Sequence, residues 1–505
     1  MAEQHSIIRR PIALMRYPAA TWYRAFAERR FVFAWVTLTA YSAALMIAFI
    51  DSRSVWLDEA ISVSISSLPY HEMLAILRHV DAVHGLYYSL LHVWLYLGHG
   101  AIAIRLLSAV FACLATLAIG TLAKSMFGEP AAPAAVAVLA TSEFFLFYAD
   151  EARGTALALL ACSLAALSLW RAIRQRSAVY VFAAVLCAVG AVYANFVSVL
   201  FLAALCTSLI VVRLNRNATL IAIGAVAATV IASVPLLLLI QANSLGQIDW
   251  IVRSNLLALF NFGAGILGGD GEPGRLGRAC HLLEAAAVLT LMMIGIIGGW
   301  SSREARPPVI MATSWFVLPL ALGVAVDHFI QPILLTRYFS FALIPAALLA
   351  GNGLVRIART TGPAAVYAIV AMLALLSMHD LSMLQREDWR SVNQLLSRDA
   401  RPGDGIVLWA PLSITPFEYA AHETSDVSPA RVAYPNGPLI DDVDFPHPLP
   451  GFTRTLSQRF KRVWFIESHE QGGTESLGPF ASLPRYYAHA SEQFFPQIRV
   501  VMYSR

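Results

Sequence analysis

The stretch that decides the fold is residues 33–60, FAWVTLTAYSAALMIAFI followed by DSRSVWLDEA. Phe33–Ile50 carries no charge and, as a helix, is long enough to cross the ~30 Å hydrocarbon core of a bilayer. No small-residue cleavage site follows it, so we expect a retained first transmembrane helix. The next residues are polar and bring two adjacent carboxylates, Asp58 and Glu59, to the outgoing end of that helix.

The composition of the whole chain is that of a polytopic membrane protein. Hydrophobic residues make up 58% and charged residues 13%, whereas soluble domains carry about 25% charged residues. The net charge of +4 is spread out, and no Lys/Arg run is interleaved with aromatic residues, so nucleic acid is not an expected partner. Further apolar blocks of spanning length include Leu106–Ala123, Thr219–Ile240, Pro308–Val326 and Pro363–Met378.

Arginines in the short loops set the expected orientation, because loops rich in Lys and Arg stay in the cytoplasm. The N-terminal arm, residues 1–32, is basic and is therefore placed in the cytoplasm. Leu86–Leu97 is apolar but short, and treating it as a half-buried juxtamembrane helix brings every later basic loop to the cytoplasmic side. This arrangement predicts an all-α body of about eleven transmembrane helices with the C-terminus outside.

Three regions follow from this topology. The cytoplasmic arm covers residues 1–32, and the transmembrane module covers 33–379, with long outer loops at 52–105 and 241–279. Residues 380–505 are polar and Pro-rich, and we expect a small extracytoplasmic α/β domain there. It is predicted from a helical pattern and three short β-like runs: Val392–Ser397, Gly405–Trp409, Arg462–Ile466 and Gln497–Tyr503.

The acidic pair in the first outer loop is the first candidate site. Carboxylate oxygens suit proton transfer and hard divalent cations, so Asp58 and Glu59 are candidates for a general base or a cation site. Neighbouring residues on a helix point about 100° apart, so only one of them faces a given ligand. We expect Asp58 to be that residue and Glu59 to support it. The alternative is a solvated acidic pair near the interface, with Trp56 in the aromatic belt.

A second candidate is the outer turn Tyr148–Arg153, which lies between two predicted spans with almost no connecting loop. Asp150, Glu151 and Arg153 crowd into it, and ionisable groups at such a depth sit at the interface or line a cavity. Glu151 and Arg153 are two residues apart and could pair. The alternative is a self-neutralising helix start, where the helix dipole favours acidic residues.

A third candidate is Arg337, which precedes Tyr338 at the outer end of a later span. An arginine at this boundary can hold a lipid phosphate bidentately, or it can simply snorkel to the head groups. Further polar groups fall on the same face, in a spacing that matches no standard metal site: His79, Asp81, His84, Tyr87 and Tyr88. A membrane enzyme acting on a lipid phosphate needs such a set on one side of an apolar body.

These motifs resemble those of the C-type (GT-C) glycosyltransferases that use polyprenyl-phosphate sugars. The resemblance is to the family 39 group, which includes protein mannosyltransferases and the aminoarabinose transferases of lipid A. Val55–Ala60 is similar to its acidic first-loop motif, and His84–Trp94 to its His-Pro-Pro-Leu-Tyr-Tyr segment, with Gly85 where the family has Pro-Pro. Other similar segments are Arg105–Ala109 (Arg-Leu-Pro-Ser-Ala), Tyr148–Arg153 (Tyr-Ser-Gln-Glu-Ala-Arg, with Asp150 replacing an amide), Thr336–Tyr338 and Glu387–Arg390.

The resemblance is continuous over Ser54–Ala172 and patchy to Arg390. It implies inverting transfer of a sugar from a polyprenyl phosphate to a glycan, lipid or protein acceptor on the outer face of a bacterial inner membrane. Asp58 is then the base, and Arg337, Arg153 or both stabilise the departing phosphate. A divalent cation (Mg, Mn or Zn) is a further candidate participant, with Asp58 and Glu151 as its candidate ligands.

Three other classes of protein stay open at this point. A flippase or transporter of lipid-linked glycans is expected to show paired halves and charges near the midplane, whereas here the charges cluster at one face. A polymerase or ligase of the O-antigen type is expected to need a larger basic loop for a diphosphate. A scaffold of an envelope complex would use the outer domain for docking.

Overall fold

The computed structural model of the protein describes residues 18–211, 216–243, 251–269, 275–301, 303–383, 386–425, 428–436, 448, 451–468 and 480–505. Residues 1–17 of the predicted cytoplasmic arm lie outside the described residues, as do 244–250 and 270–274 of the second outer loop. The described chain is a helical body followed by a small mixed domain. This agrees with the predicted fold class.

The α-helices, in chain order, are α1 Pro18–Phe49, α2 Leu57–Ser66, α3 Tyr70–Leu77, α4 Gly85–Trp94, α5 Ala101–Phe127, α6 Ala131–Ala140, α7 Glu143–Ala149, α8 Thr155–Gln175, α9 Ala178–Ala194, α10 Ser198–Val211, α11 Arg216–Asn243, α12 Leu256–Gly268, α13 Arg275–Trp300, α14 Arg306–Phe329, α15 Leu343–Thr361, α16 Pro363–Met383, α17 Trp389–Asp399, α18 Ile414–Thr424 and α19 Phe452–Arg459. The strands are β1 Gly405–Trp409, β2 Arg431–Tyr434, β3 Arg462–Ser468, β4 His489–Phe495 and β5 Ile498–Ser504.

Seven helices in the described residues are long and apolar enough to cross a membrane, among them α1, α5 and α8. The pair α6 and α7 bends by 72° at its break and makes an eighth if it counts as one span. Helices α9, α10, α12 and the Pro363–His379 part of α16 are apolar but shorter. The membrane character of the body is therefore confirmed, while the number of eleven spans stays a prediction.

The segment Leu86–Leu97 forms the ten-residue helix α4 and a short 3₁₀ helix, Leu95–Leu97. At 1.5 Å per residue, α4 is about 15 Å long, which is half of what a span requires. Tyr87, Tyr88 and Leu91 face inward and are fully buried. The structure thus has a short packed helix here, as the juxtamembrane interpretation requires.

Close packing of small residues fixes the part of the body that carries Arg337. A Cβ on Gly295 of α13 would lie 2.1 Å from the Leu349 carbonyl oxygen, and one on Gly353 of α15 would lie 2.1 Å from that of Leu291. Such small residues let transmembrane helices approach closely. Because α13 and α15 are held together in this way, the 3₁₀ helix Thr336–Ala342 that leads into α15 has a defined position.

The C-terminal domain is built on a five-stranded sheet with the order β2-β1-β3-β5-β4. Strands β2, β1 and β3 are parallel, whereas β5 and β4 are antiparallel to their neighbours. Two apolar clusters cover the sheet, one around Trp389 and Phe417 of the helices and one around Phe460 and Phe480. The predicted runs at 405–409, 462–466 and 497–503 correspond to β1, β3 and β5, and the predicted helix lies within α17.

Arg390 at the start of α17 connects this domain to the loop between α1 and α2. Its Nη2 lies 2.6 Å from Asp51 Oδ1 and 2.8 Å from Glu423 Oε1 of α18, and its backbone N–H donates to Ser54 Oγ. The Tyr419 hydroxyl donates to the His99 carbonyl at 2.6 Å. The C-terminal domain therefore lies directly on the loop that contains Asp58.

Candidate active site

The two adjacent acids of the first loop lie in the first turn of α2 and point in different directions. Trp56 occupies the N-cap position, and the helix begins at Leu57. The Glu59 side chain is 1% exposed and turns into the protein, whereas that of Asp58 is 16% exposed. This divergence is the 100° step expected for consecutive helical residues. Of the two carboxylates, only Asp58 retains access to solvent.

Glu59 is half of a buried ion pair with Arg105, the fifth residue of α5. Arg105 donates through Nε at 2.8 Å to Oε1 and through Nη2 at 2.6 Å to Oε2. The backbone N–H of Ala152 donates to Oε1 at 3.1 Å. Burial raises the pKa of Glu59, but the charge and hydrogen bonds of Arg105 outweigh it, so the pKa lies below its usual value. The carboxylate is ionised and engaged on both oxygens.

Arg105 also holds the backbone of the first loop in place. Its Nη1 donates to the carbonyls of Ile50 at 2.7 Å and Arg53 at 2.9 Å, and Nη2 donates to that of Ser54 at 3.0 Å. A guanidinium offers five N–H donors in a rigid fork, which suits this convergence of acceptors. Glu59 and Arg105 together fix the path of the chain from α1 into α2.

Asp58 meets two arginines from distant parts of the sequence. Arg337, from the 3₁₀ helix before α15, places Nη1 at 2.8 Å from Asp58 Oδ2. Arg153, from the turn before α8, places Nη2 at 3.5 Å from the same oxygen. The sequence predicted that the first loop, the second acidic turn and Arg337 share one face, and the structure brings them into contact.

Arg153 is further tied to Tyr88 and Asp81. Its Nη1 donates to the Tyr88 hydroxyl at 2.7 Å and to Asp81 Oδ2 at 3.1 Å, and the Tyr88 hydroxyl donates to the same Asp81 oxygen at 2.6 Å. Burial raises the pKa of Asp81, but Arg153 and the other neighbours bring it below its usual value. Asp81 has a left-handed backbone (φ 53°), which Asp tolerates better than most residues.

His84 and Tyr87, also predicted to bind the substrate, support the wall of the site instead of facing Asp58. His84 Nδ1 lies 3.2 Å from the carbonyl of Ala194, and the Tyr87 hydroxyl lies 2.9 Å from Ser108 Oγ. Burial and the nearby Arg153 lower the pKa of His84 to about 4, so its ring is neutral near pH 7. The Nδ1 nitrogen therefore carries a proton that it donates to the carbonyl.

Tyr338 contributes through its backbone and its ring. Its carbonyl accepts a hydrogen bond from Asn195 Nδ2 at 3.0 Å, which ties the Arg337 segment to the turn between α9 and α10. The Arg337 guanidinium lies 5.7 Å from the Tyr338 ring and 5.5 Å from the Trp56 ring. Aromatic faces thus flank the cation that contacts Asp58.

Asp150 and Glu151 are buried beside the site and have different partners. Arg53 Nη2 lies 2.8 Å from Asp150 Oδ1, and Arg386 Nη2 lies 3.4 Å from Glu151 Oε1. Burial raises the pKa of both carboxyls, and the arginines offset part of that rise. The sequence left open an ion pair between Glu151 and the Arg153 side chain, and the structure does not contain this pair. Arg153 instead donates its backbone N–H to the Glu151 carbonyl.

Two residues of this arrangement, Arg386 and Arg53, were not predicted, and Asp81 was named only as a polar group on the same face. The sequence gives little indication of a role for Arg386, because an arginine just after a predicted transmembrane helix is common. Asp81 lies in the polar stretch His79–Tyr88, whose clustering was visible, but its contact with Arg153 was not. Arg53 comes five residues before Asp58, and its ion pair with Asp150 joins residues too far apart in the chain to give a local signal.

The donor set can be tested against a divalent cation. Among the residues that the structure describes, no three His, Cys, Asp or Glu side chains come together so as to hold a metal ion. The two candidate ligands have arginine partners, Arg337 for Asp58 and Arg386 for Glu151. Guanidinium groups repel a cation, so these residues do not fit a metal site.

No protein-family model matches the chain, and no curated protein matches it. Solved structures of other proteins do match the chain. ArnT from Cupriavidus metallidurans, bound to undecaprenyl phosphate, is 15% identical over 92% of this chain and 97% of that chain, with a TM-score of 0.53. The oligosaccharyltransferase AglB from Archaeoglobus fulgidus, with an inhibitory peptide and a dolichol-phosphate, is 12% identical over 94% of this chain and 74% of that chain, with a TM-score of 0.55. Another structure of the Archaeoglobus fulgidus enzyme, with Zn and sulfate, gives a TM-score of 0.52 at 13% identity, over 86% of this chain and 67% of that chain.

These likenesses extend over almost the whole chain and define its fold. The chain has the GT-C fold of membrane glycosyltransferases, as the sequence motifs predicted. The match extends into both the helical body and the C-terminal domain, since more than nine tenths of the chain align with ArnT and with AglB.

Proposed function

We propose that the chain is a membrane glycosyltransferase that moves a sugar, a hexose or a pentose, from a polyprenyl-phosphate donor to an acceptor hydroxyl. The observation that carries the proposal is the meeting of Asp58 with Arg337 and Arg153, whose side chains are all partly exposed in this fold. A carboxylate can accept the proton of the acceptor hydroxyl, and two arginines can bind the phosphate of the donor. The solved relatives bound to undecaprenyl phosphate and to a dolichol-phosphate support the class of donor.

The reaction that fits these residues is a single displacement with inversion. The acceptor oxygen forms a bond to the anomeric carbon while the bond from that carbon to the phosphate oxygen breaks. The acceptor proton passes to an oxygen of Asp58, and the electron pair of the broken bond leaves with the polyprenyl phosphate. Arg337 and Arg153 stabilise the charge that develops on the phosphate. No step is assigned to a metal, because the carboxylates face arginines.

The ion pairs suggest how the base becomes active. A phosphate entering the site competes with Asp58 for Arg337 and Arg153, and it offers each guanidinium two oxygens in the preferred fork geometry. As the arginines turn to the phosphate, their hold on the carboxylate weakens. Asp58 then becomes a better proton acceptor at the moment when the donor is in place.

The proposal also includes the location of the reaction. The basic loops favour a cytoplasmic N-terminus and an outer face that carries Asp58, and the resemblance favours the inner membrane of a bacterial cell. The acceptor is a glycan, lipid or protein on that outer face. Labelling of engineered cysteines from the outside tests the orientation.

Transfer of label from a radioactive polyprenyl-phosphate sugar, with purified protein in detergent, tests the function. Wild-type protein is expected to release or transfer the label, and Asp58→Asn is expected to lose this activity while staying folded. Asp399→Asn, at a partly exposed position of the C-terminal domain, is the control and should behave like wild type. Near-normal activity of Asp58→Asn would refute the assignment of the base.

A further inference from the structure

Arg386 brings a cation into the site from the segment that joins α16 to the outer domain. Its guanidinium carbon lies 3.9 Å from the centre of the Trp56 ring and 4.5 Å from that of Phe147. Its Nη2 lies 3.4 Å from Glu151 Oε1, and its side chain is 14% exposed. The guanidinium is thus stacked on aromatic faces next to the loop that carries Asp58.

The Trp56 ring connects Arg386 to the arginine that contacts Asp58. The guanidinium carbon of Arg337 lies 5.5 Å from the centre of the same indole. Glu151 experiences the positive charges of both Arg386 and Arg337, so the two cations surround one region of the site. A phosphate group near this indole is within reach of both.

The contact that holds Arg386 is weaker than those of the neighbouring arginines. The separations in the Arg53–Asp150 and Arg337–Asp58 pairs are both 2.8 Å, whereas Glu151 is 3.4 Å from Arg386. Charge-assisted N–H···O bonds in proteins are usually about 2.7–2.9 Å. Burial raises the pKa of Glu151, as do the negative charges of Glu59 and Asp58, so this carboxyl is a poor counterion.

We propose that Arg386 is a phosphate-binding residue of this site and that Glu151 is the carboxylate which the lipid phosphate displaces from it. This inference rests on the proposed function, since it concerns the phosphate of the same polyprenyl donor. A phosphate offers a guanidinium two oxygens in parallel, and Glu151 contacts Arg386 through one. The exchange therefore improves the hydrogen bonding of Arg386 and leaves Glu151 free to take up a proton.

The outer domain fixes Arg386 from its C-terminal side. Trp389 is fully buried in the core of that domain, and its Nε1 donates to Glu387 Oε2 at 2.7 Å. Arg390 is bonded to Asp51 and Glu423. The first residues of the outer domain thus hold Arg386 against Trp56, which gives this domain a part in binding the donor phosphate.

Binding of undecaprenyl phosphate to the purified full-length protein in detergent tests the inference. Arg386→Ala is expected to weaken binding by tenfold or more, and Arg386→Lys, which keeps the charge without the fork, by a smaller factor. Glu151→Gln is expected to tighten binding several-fold, because a neutral amide competes less for the guanidinium. Arg398→Ala, at an arginine on the outer domain that is 72% exposed, should bind like wild type.

The outcomes separate this inference from the function on which it rests. Wild-type protein that binds undecaprenyl phosphate no better than undecaprenol, which lacks the phosphate, overturns both. If wild type prefers the phosphate but Arg386→Ala and Arg386→Lys bind it equally well, the role of Arg386 is refuted alone. A Glu151→Gln variant that binds no more tightly than wild type refutes the displacement.

Discussion

Asp58→Asn and Glu59→Gln make the same isosteric change at adjacent residues, and the structure predicts opposite consequences. Three N–H groups converge on the Glu59 carboxylate: Arg105 Nε and Ala152 N on Oε1, and Arg105 Nη2 on Oε2. A glutamine supplies one acceptor oxygen, so its NH₂ group must face one of these donors. The guanidinium, whose side chain is 3% exposed, also loses its counterion.

The size of the effect follows from this burial. Removing one partner of a buried ion pair costs about 3–5 kcal/mol, which is a large part of the about 5–15 kcal/mol that stabilises a typical protein. We expect Glu59→Gln to lower the free energy of unfolding by that amount. Asp58→Asn should cost about 1–2 kcal/mol, because Asp58 and Arg337 retain access to water, at 16% and 18% exposure.

The assay measures unfolding of the two variants in detergent and sugar transfer per amount of folded protein. Glu59→Gln is expected to be unstable but to transfer sugar below its unfolding temperature, whereas Asp58→Asn is expected to be stable and inactive. A Glu59→Gln variant that is as stable as wild type would refute this account of the pair.

Three further predictions concern pH, the domain contact and metal ions. Since the pKa of His84 is about 4 in the folded protein and about 6.5 in an unfolded chain, the unfolded chain takes up a proton first as the pH falls. Stability should therefore drop by about 3 kcal/mol between pH 6.5 and 4, and His84→Gln should flatten this part of the pH profile of unfolding. Arg390→Ala removes the contacts to Asp51 and Glu423 and should speed proteolysis between α16 and α17. A double-mutant cycle of Arg390→Ala with Glu423→Gln should give a coupling energy of about 1–2 kcal/mol. Sugar transfer should persist in EDTA, because the carboxylates of the site face arginines. Loss of the activity in EDTA and its return with Mg²⁺, Mn²⁺ or Zn²⁺ would contradict this.

The membrane body was predictable because the bilayer imposes a length and a polarity that one sequence displays directly. Leu106–Ala123 and Thr219–Ile240 fall within helices of the structure, and so does Phe33–Ile50 except for Ile50, which follows the end of α1. Charge bias then placed Asp58, Glu151 and Arg337 on one face without any knowledge of packing. These signals are local or additive along the chain, so no tertiary contact is needed to read them.

The outer domain was less predictable because its edge elements lack a strong pattern. Strand β4 is exposed along most of its length, so its residues HASEQFF show no alternation of apolar and polar side chains. Strand β2 has four residues, too few for a periodic signal. The buried strands β1, β3 and β5 carry continuous or alternating apolar residues and were found.

The choice between the two acids of the first loop shows where the sequence alone stops. On a helix the side chains of residues 58 and 59 must diverge, but the period does not say which of them turns inward. That is decided by Arg105, which lies 46 residues beyond Glu59 at the start of α5 and carries five hydrogen bonds to this loop. These bonds fix both the backbone from Ile50 to Ser54 and the Glu59 carboxylate. Arg105 therefore sets the direction of the Asp58 side chain without contacting it. The position of the proposed base therefore depends on the bonds of Arg105 to the carbonyls of Ile50, Arg53 and Ser54, which remain in Glu59→Gln, whereas a change at Arg105 itself should release this loop and displace Asp58 from Arg337.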